Sequence, residues 1–258
     1  MAPIFIKETV IVEEGIIELS VALTCVDPLR EAEAVVVIDV LRATTVVAVA
    51  LANGAQGVVP VRSVEQAREL AASEPGHLLG GEFENRRIAG FDCGNSPFDY
   101  AASVVAGKRV ILRTTNGTRA FAALAGFNTA VLCAALVNVA AVAAYLKQQR
   151  YRSVALLCAG QDERFSLEDF VCAGAIVHAL SEDDPHARVD DAGIAARALF
   201  KRERFSLLAL MAIGNHAEDL RAVGAEADIA FAARLDLLDV VPVMRDGMLV
   251  SGDYFKKH

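Results

Sequence analysis

Asp39 interrupts the apolar run at residues 35–40, close to the end where the run would meet a helix. A carboxylate there can hold a metal ion or act as nucleophile or base; the plainer alternative is that it ties down a neighbouring loop. Burying an unpaired charge is costly, which favours the functional reading. Position 41 is Leu, so the Asp-x-Asp pattern of aspartyl-phosphate enzymes is absent. Arg42, Thr44 and Thr45 follow at once. They could hold phosphate oxygens; equally, Thr44 could cap the helix and Arg42 could pair with an acid.

The same construction, an apolar run followed by a polar loop and a helix, recurs at residues 110–118 and 154–166. Each loop carries hydroxyls, at least one Arg and backbone N–H groups at a helix start. Helix N-termini offer unpaired donors and a positive dipole end, so each loop suits an anion. Three such loops on one sheet edge predict a site for a phosphate-bearing ligand, with Asp39, Asn116 and Arg164 facing a common cleft. In the second loop, Thr115, Asn116, Gly117 and Thr118 are candidate ligand contacts, because Gly permits close backbone approach to an anion; an ordinary tight turn is the alternative. Neither a P-loop nor a dinucleotide fingerprint occurs.

The third loop spells Cys-x₅-Arg from Cys158 to Arg164, through Gly160. That is the spacing of the phosphate loop in cysteine-dependent phosphatases. Asp162 and Glu163 inside the loop would repel phosphate, and Leu157 stands where a His usually precedes the Cys. A nucleophilic Cys158 is therefore the rival reading, and Arg164 as an anion ligand the preferred one.

Residues 80–96 read as a long polar loop bearing Glu82, Glu84, Asp92 and Asn95. Mg²⁺ needs only one or two carboxylates beside water and phosphate, whereas a solvated surface loop needs no ligand at all. Ser96-Pro97-Phe98-Asp99 is a helix start, with Ser as cap and Pro in the first turn. The expected mechanism places Asp39, with Glu82 or Asp92, on Mg²⁺ against the phosphate, Arg42 and Arg164 as an anion clamp, and a water as nucleophile. The five histidines form no spaced cluster, and Glu168 and Asp169 sit where acids favour any helix start.

These loops need a scaffold. Buried strands are expected at 35–40, 58–61, 78–79, 110–112, 130–133 and 154–158, with strand-like runs at 9–12 and 16–21. Helices are expected from about 44, after Ser63 with Gln66 as a capping box, near 118–125, at 138–149, and from Ser166 to about 180 with Ser166 and Asp169 as another box. The acidic stretch 182–192 is the best boundary candidate; Ala-rich helical segments follow, and a hairpin turning at Asp246-Gly247 ends the chain. Alternating strands and helices predict an α/β fold with a largely parallel sheet flanked by helices. The chain is read as a single unit, 1–258, with possible internal halves 1–150 and 151–258.

Composition narrows the partners. The chain has 258 residues, is 54% apolar with 6% aromatics and no Trp, and carries a net charge of −8. No basic cluster interleaves with aromatics, so nucleic acid is not expected. No apolar run reaches the roughly 18 residues of a membrane span, and the start lacks a signal-peptide pattern; a cytoplasmic protein is expected. Five scattered cysteines indicate neither a zinc site nor a disulfide framework. High Ala, Val and Leu content and the terminal hairpin suggest a homodimer.

Taken together, VIDVLRATT (37–45), LANGA (51–55), LLGGE (78–82), GFDCGNSP (90–97), TTNGT (114–118), CAGQDERFSLEDFVCAGAI (158–176) and, more loosely, DVVPVMRDG (239–247) resemble the 2-phosphosulfolactate phosphatase (ComB) family. The match is poorer over 182–235, where His216-Ala217-Glu218-Asp219 is less basic than that family's pattern. The resemblance implies an α/β fold peculiar to the family and a Mg²⁺-dependent phosphatase acting on 2-phospho-3-sulfolactate. It also implies that the matched residues, Asn95 and Ser96 among them, line the site. A related 2-phospho-2-hydroxy acid is an alternative substrate. A non-catalytic anion-binding protein is an alternative function.

Overall fold

The computed structural model describes residues 17–73, 76–124 and 126–252. The strand-like run at 9–12 lies outside them. The strands β1 (Glu18–Ala22), β2 (Ala34–Ile38), β3 (Gly57–Val61), β4 (Leu78–Phe83), β5 (Arg86–Arg87), β6 (Arg109–Arg113), β7 (Ala130–Ala134), β8 (Ser153–Cys158), β9 (Arg188–Val189), β10 (Pro242–Arg245) and β11 (Met248–Ser251) form one sheet. Its order is β5-β4-β6-β3-β11-β10-β7-β2-β8-β1-β9. The β4-β6-β3 block and the β7-β2-β8-β1-β9 block are each parallel. The C-terminal hairpin β10–β11 lies between them, antiparallel to β7 on one side and β3 on the other.

The hairpin turns at Asp246 and Gly247, both with positive φ, as a two-residue loop of the twist-compatible type requires. The sequence hints that this hairpin needs a second chain. It finds its neighbours within its own chain, and Leu249 is fully buried in the sheet.

Apolar strands form here because both faces are covered. In β2, Val36 and Ile38 join one core and Val35 and Val37 the other. The period of two sends alternate residues to opposite faces. Helices α5 (Val139–Gln149) and α6 (Leu167–Ser181) cover the first face. Helix α1 (Ala43–Ala52), buried from Ala43 to Leu51, covers the second. Helix α2 (Val64–Ser73) begins as its capping box predicts: Ser63 Oγ accepts from the Gln66 N–H, and Gln66 Oε1 accepts from the Arg62 N–H.

Two expectations need correction. Residues 80–96 are not a structureless loop. Strand β4 runs on to Phe83 and hairpins into β5 through Glu84 and Asn85, both in the left-handed region. The turn goes unread in the sequence because such turns usually advertise themselves with Gly. Stretch 182–192 carries the edge strand β9, and α7 (Asp191–Glu203) then packs back on α6. Contact is close enough that a Cβ on Gly174 would meet the Ala196 carbonyl oxygen. Helices α8 (Leu207–Ala212), α9 (Asn215–Ala222) and α10 (Glu226–Ala232) follow. No helix among the described residues is long and apolar enough to cross a membrane.

Gly81 pairs β4 to β6 at φ 141°, and an added Cβ there would lie 2.0 Å from the Arg113 carbonyl oxygen. Gly81→Ala is therefore expected to lower stability by about 2 kcal/mol or more, with loss of activity through the adjacent Glu82. Denaturant unfolding with a parallel assay checks this; unchanged stability would refute the close approach.

Candidate active site

The loops after β2, β6 and β8 emerge at the C-terminal ends of parallel strands, where open α/β sheets bind ligands. Five strand spacings separate β2 from β6 in the sheet order, roughly 24 Å if the sheet were flat. Yet a Cβ on Gly117, at the start of α4 (Gly117–Ala123), would lie 2.8 Å from Asp39 Oδ2. The sheet must curl, and its loops must lean inward, to close that gap. A cavity of about 470 Å³ results, lined by Asp39, Arg42, Glu82, Asn95, Thr115, Asn116 and His216, among others.

Backbone N–H groups of all three expected anion loops are already taken by the protein's own carboxylates. At α1, Asp39 Oδ1 accepts from the Ala43 N–H at 3.1 Å. Ahead of α4, Glu82 Oε1 accepts from the Thr115 N–H at 2.7 Å, and its Oε2 takes the Asn85 N–H at 2.9 Å. At α6, Ser166 caps the Asp169 N–H as expected. The Asp169 carboxylate, however, reaches out to the Val40 N–H at 2.8 Å and the Gly160 N–H at 3.2 Å. It thereby ties the loops after β2 and β8 together. Gly117 does admit an anion's close approach, but the anion is the Asp39 carboxylate.

Several residues expected to touch ligand serve the scaffold instead. Thr44 is fully buried; its hydroxyl donates to the Asp39 carbonyl and accepts from the Asp39 N–H. Thr45 donates to the Val40 carbonyl, and Thr118 to that of Thr114. Ser96 donates to Asp228 Oδ1 at 2.6 Å. Arg42 is buried and pairs through Nη1 with Asp228 Oδ2 at 2.7 Å, while Nη2 donates to the Asn85 carbonyl. Its Nε and the Oδ1 of buried Asn95 have no hydrogen-bond partner, and both residues line the cavity.

The remaining assignments separate from the site. Asp92 is exposed, outside the cavity lining, and accepts from the Leu79 N–H. Arg164 is likewise exposed and outside the lining, so Asp39 and Asn116 meet without it. The Cys-x₅-Arg loop is a tight hairpin. Gln161 and Arg164 exchange backbone hydrogen bonds, Gly160 N–H goes to Asp169, and Asp162 N–H goes to Asn116 Oδ1. Those donors are thus unavailable to a phosphate. Strand alternation sends the Cys158 side chain into the core against α6. Burial, with Asp169 nearby, pushes its thiol well above the ordinary range, so Cys158 is not a nucleophile.

His216, on α9, is the residue the sequence did not point to. Its Nδ1 lies 3.1 Å from Glu168 Oε1, and Glu168 is 2% exposed. Burial alone would lower the ring's pKa; the Glu168 hydrogen bond and the charges of Glu168 and Asp39 outweigh it, and the net shift is upward. The only sequence signal was Glu168 at a helix start, which any helix would favour. The pairing spans 48 residues.

Burial pushes the Asp39 carboxyl up to about 6; His216 and the Ala43 N–H pull it down, and Glu82 and Glu168 add to the rise. Asp169 is driven well up by burial and by Glu168 and Asp39. The cavity wall carries Asp39, Glu82, Glu84, Asp162 and Asp219 against Arg42 and His216. An anionic ester would be repelled from such a wall without a cation. Among the described residues no three His, Cys, Asp or Glu side chains form a ready metal cage. Mg²⁺ does not require one: one or two carboxylates, waters and a phosphate suffice. Asp39 and Glu82, buried and oxygen-bearing on one cavity wall, fit that demand; Asp92 does not.

Comparison with known proteins agrees with this architecture. The family model described as 2-phosphosulpholactate phosphatase matches residues 25–247. A probable 2-phosphosulfolactate phosphatase of Symbiobacterium thermophilum is 43% identical over 217 residues, covering 83% of this chain and 92% of the relative. One from Synechococcus sp. (strain JA-2-3B'a(2-13)) is 42% identical over 225 residues, covering 85% and 92%. One from Thermotoga maritima is 37% identical over 224 residues, covering 87% and 94%. By the span of that match and the identity of these relatives, the chain belongs to the 2-phosphosulpholactate phosphatase family.

Proposed function

We propose that the protein is a phosphoric monoester hydrolase that cleaves 2-phospho-3-sulfolactate, or a related 2-phospho-2-hydroxy acid, to the hydroxy acid and phosphate. We further propose that Asp39 and Glu82 hold Mg²⁺. The observation that carries the reading is an acidic cavity wall, with Asp39 and Glu82 buried and Glu84, Asp162 and Asp219 exposed, in a chain of this family. Such a wall admits a phosphate only together with a cation. Bound there, the ion would supply charge neutralisation for the phosphoryl group during transfer.

The chain's own residues do the rest. Arg42, held by Asp228 and the Asn85 carbonyl, keeps a guanidinium on the same cavity wall, where it adds positive charge beside a bound phosphoryl group. Thr115 and Asn116 add a hydroxyl and an amide to the same wall. Glu82 fixes the Thr115 and Asn85 backbones, tying the turn after β4 to the loop after β6. An adjoining cavity of about 430 Å³ shares Arg42, Asn85 and Asn95 and is lined also by Arg86 and Arg87. Its cations suit the second anionic group, sulfonate or carboxylate, of such a substrate.

Phosphate release from a panel of 2-phosphohydroxy acids, with Mg²⁺ and with EDTA, tests the reading. Turnover that needs Mg²⁺ and is abolished by EDTA is expected; full turnover in EDTA would sink the metal assignment. Asp39→Asn should lower kcat/KM by about a thousandfold or more.

A stability measurement separates that loss from misfolding. The folded pKa of Asp39 lies above its unfolded value, so its ionised form works against the fold as pH rises through about 6. Asp39→Asn should therefore leave the metal-free protein equally or more stable at pH 7, by up to ~3 kcal/mol. A lower Tm for this variant would contradict the burial argument. Cys158→Ala should keep activity within about threefold of wild type, because the thiol is sealed in the core; a dead but folded variant would revive the thiol mechanism.

A further inference from the structure

We propose that His216 donates the proton to the leaving oxygen of the substrate, and that Glu168 is the positioning residue that holds its ring for this task. The inference rests on the phosphatase reading above and names a residue role within that same site.

The leaving group of a 2-phospho-2-hydroxy acid is an alkoxide, a strong base that departs poorly unless protonated. A proton donor must therefore stand in the cavity. Among the described side chains of the wall, Asp39 and Glu82 are the proposed ion holders, Glu84, Asp162 and Asp219 are exposed at its rim, and Arg42 is committed to Asp228 and the Asn85 carbonyl. Thr115, Asn116 and Gln161 are not acids near neutrality. His216 is the cavity-wall side chain that both carries and releases a proton in the physiological range.

Geometry fixes which nitrogen acts. Nδ1 is tied to Glu168 Oε1 at 3.1 Å, which leaves Nε2 as the nitrogen able to reach ligand. Glu168 is itself packed at the start of α6, so the ring is anchored on a rigid element. A carboxylate partner also favours the protonated ring, in keeping with the upward net shift of His216.

The step balances. A water oxygen bonds to phosphorus as the bond from phosphorus to the substrate oxygen breaks. The electron pair of that bond stays on the substrate oxygen, which takes the proton from His216 Nε2 and leaves as a hydroxyl. The water departs as part of dihydrogen phosphate, which returns one proton to the neutral ring.

The test compares two esters of one skeleton, 2-phospholactate and phosphoenolpyruvate. The second releases an enolate, a far weaker base that needs less help from an acid. His216→Gln is expected to lower kcat on 2-phospholactate about 100-fold or more and on phosphoenolpyruvate by less than about tenfold, with KM little changed. Glu168→Gln should follow the same pattern with a smaller loss. The Mg²⁺ concentration giving half-maximal activity should stay the same in both variants. Equal losses on the two esters, or no loss on 2-phospholactate, would overturn the proposal. So would a raised Mg²⁺ requirement, which would make His216 a metal ligand instead. His216→Asn, read by the same ratios, replaces the Gln variant if that one fails to fold. Wild-type enzyme that releases phosphate from neither ester would instead bring down the phosphatase reading itself.

Discussion

The structure turns on carboxylates buried at the ends of parallel strands. Asp39, Glu82, Glu168 and Asp169 are each at most 5% exposed. Burial of this kind is tolerated only where backbone N–H groups or a cation answer the charge. Asp39, Glu82 and Asp169 take the N–H groups of Ala43, of Thr115 and Asn85, and of Val40 and Gly160. Those hydrogen bonds fix the loop geometry; the remaining negative charge shapes the chemistry.

That excess charge explains why a site for an anion looks anionic when empty of ligand. Arg42 is largely committed to Asp228, so it cannot by itself offset the acids around it. On the proposed reading, such a wall suits a cation together with a phosphate better than a phosphate alone. The adjoining, more cationic cavity around Arg86 and Arg87 gives the site polarity. On the same reading, phosphoryl chemistry falls at the acidic end and a second anionic group at the other.

The sheet supplies the stage. Two parallel blocks meet across an antiparallel hairpin, β10–β11, built from the last strands of the chain. The β4–β6 block brings Glu82, Thr115 and Asn116; the β2–β8 block brings Asp39 and, through α6, Glu168. The cavity is thus assembled from both sides of the hairpin. Helices α9 and α10 then contribute His216 and Asp228 to the cavity walls. These helices lie within 182–235, where the sequence resembles the family least, yet they carry the partner of Arg42 and the ring on Glu168.

Much of this was legible in the residues. Short continuous apolar runs marked β2, β3, β6, β7, β8 and the start of β4, while β5 went unread. Capping boxes at Ser63 and Ser166 marked helix starts, and Asp246-Gly247 marked the hairpin. The lone carboxylate at the end of an apolar run marked Asp39, which lies on the cavity wall. Such signals are local: a strand's faces, a cap or a turn is settled within a few residues of chain.

What the sequence left open depends on contacts between distant residues. Whether Arg42 pairs with an acid or a phosphate was decided by Asp228, 186 positions away. Whether Asp169 closes a cap or bridges loops was decided by Val40, 129 positions away. Strand parity, together with packing against α6, turned Cys158 into the core, and a hairpin carried Arg164 outward. His216 had no local signature, because its meaning comes from Glu168 on another helix. The sequence alone determined the elements and the kinds of chemistry available. Only the tertiary structure decided which side chains share the cavity, because charge and hydrogen bonding act through space, and distance along the chain does not measure that separation.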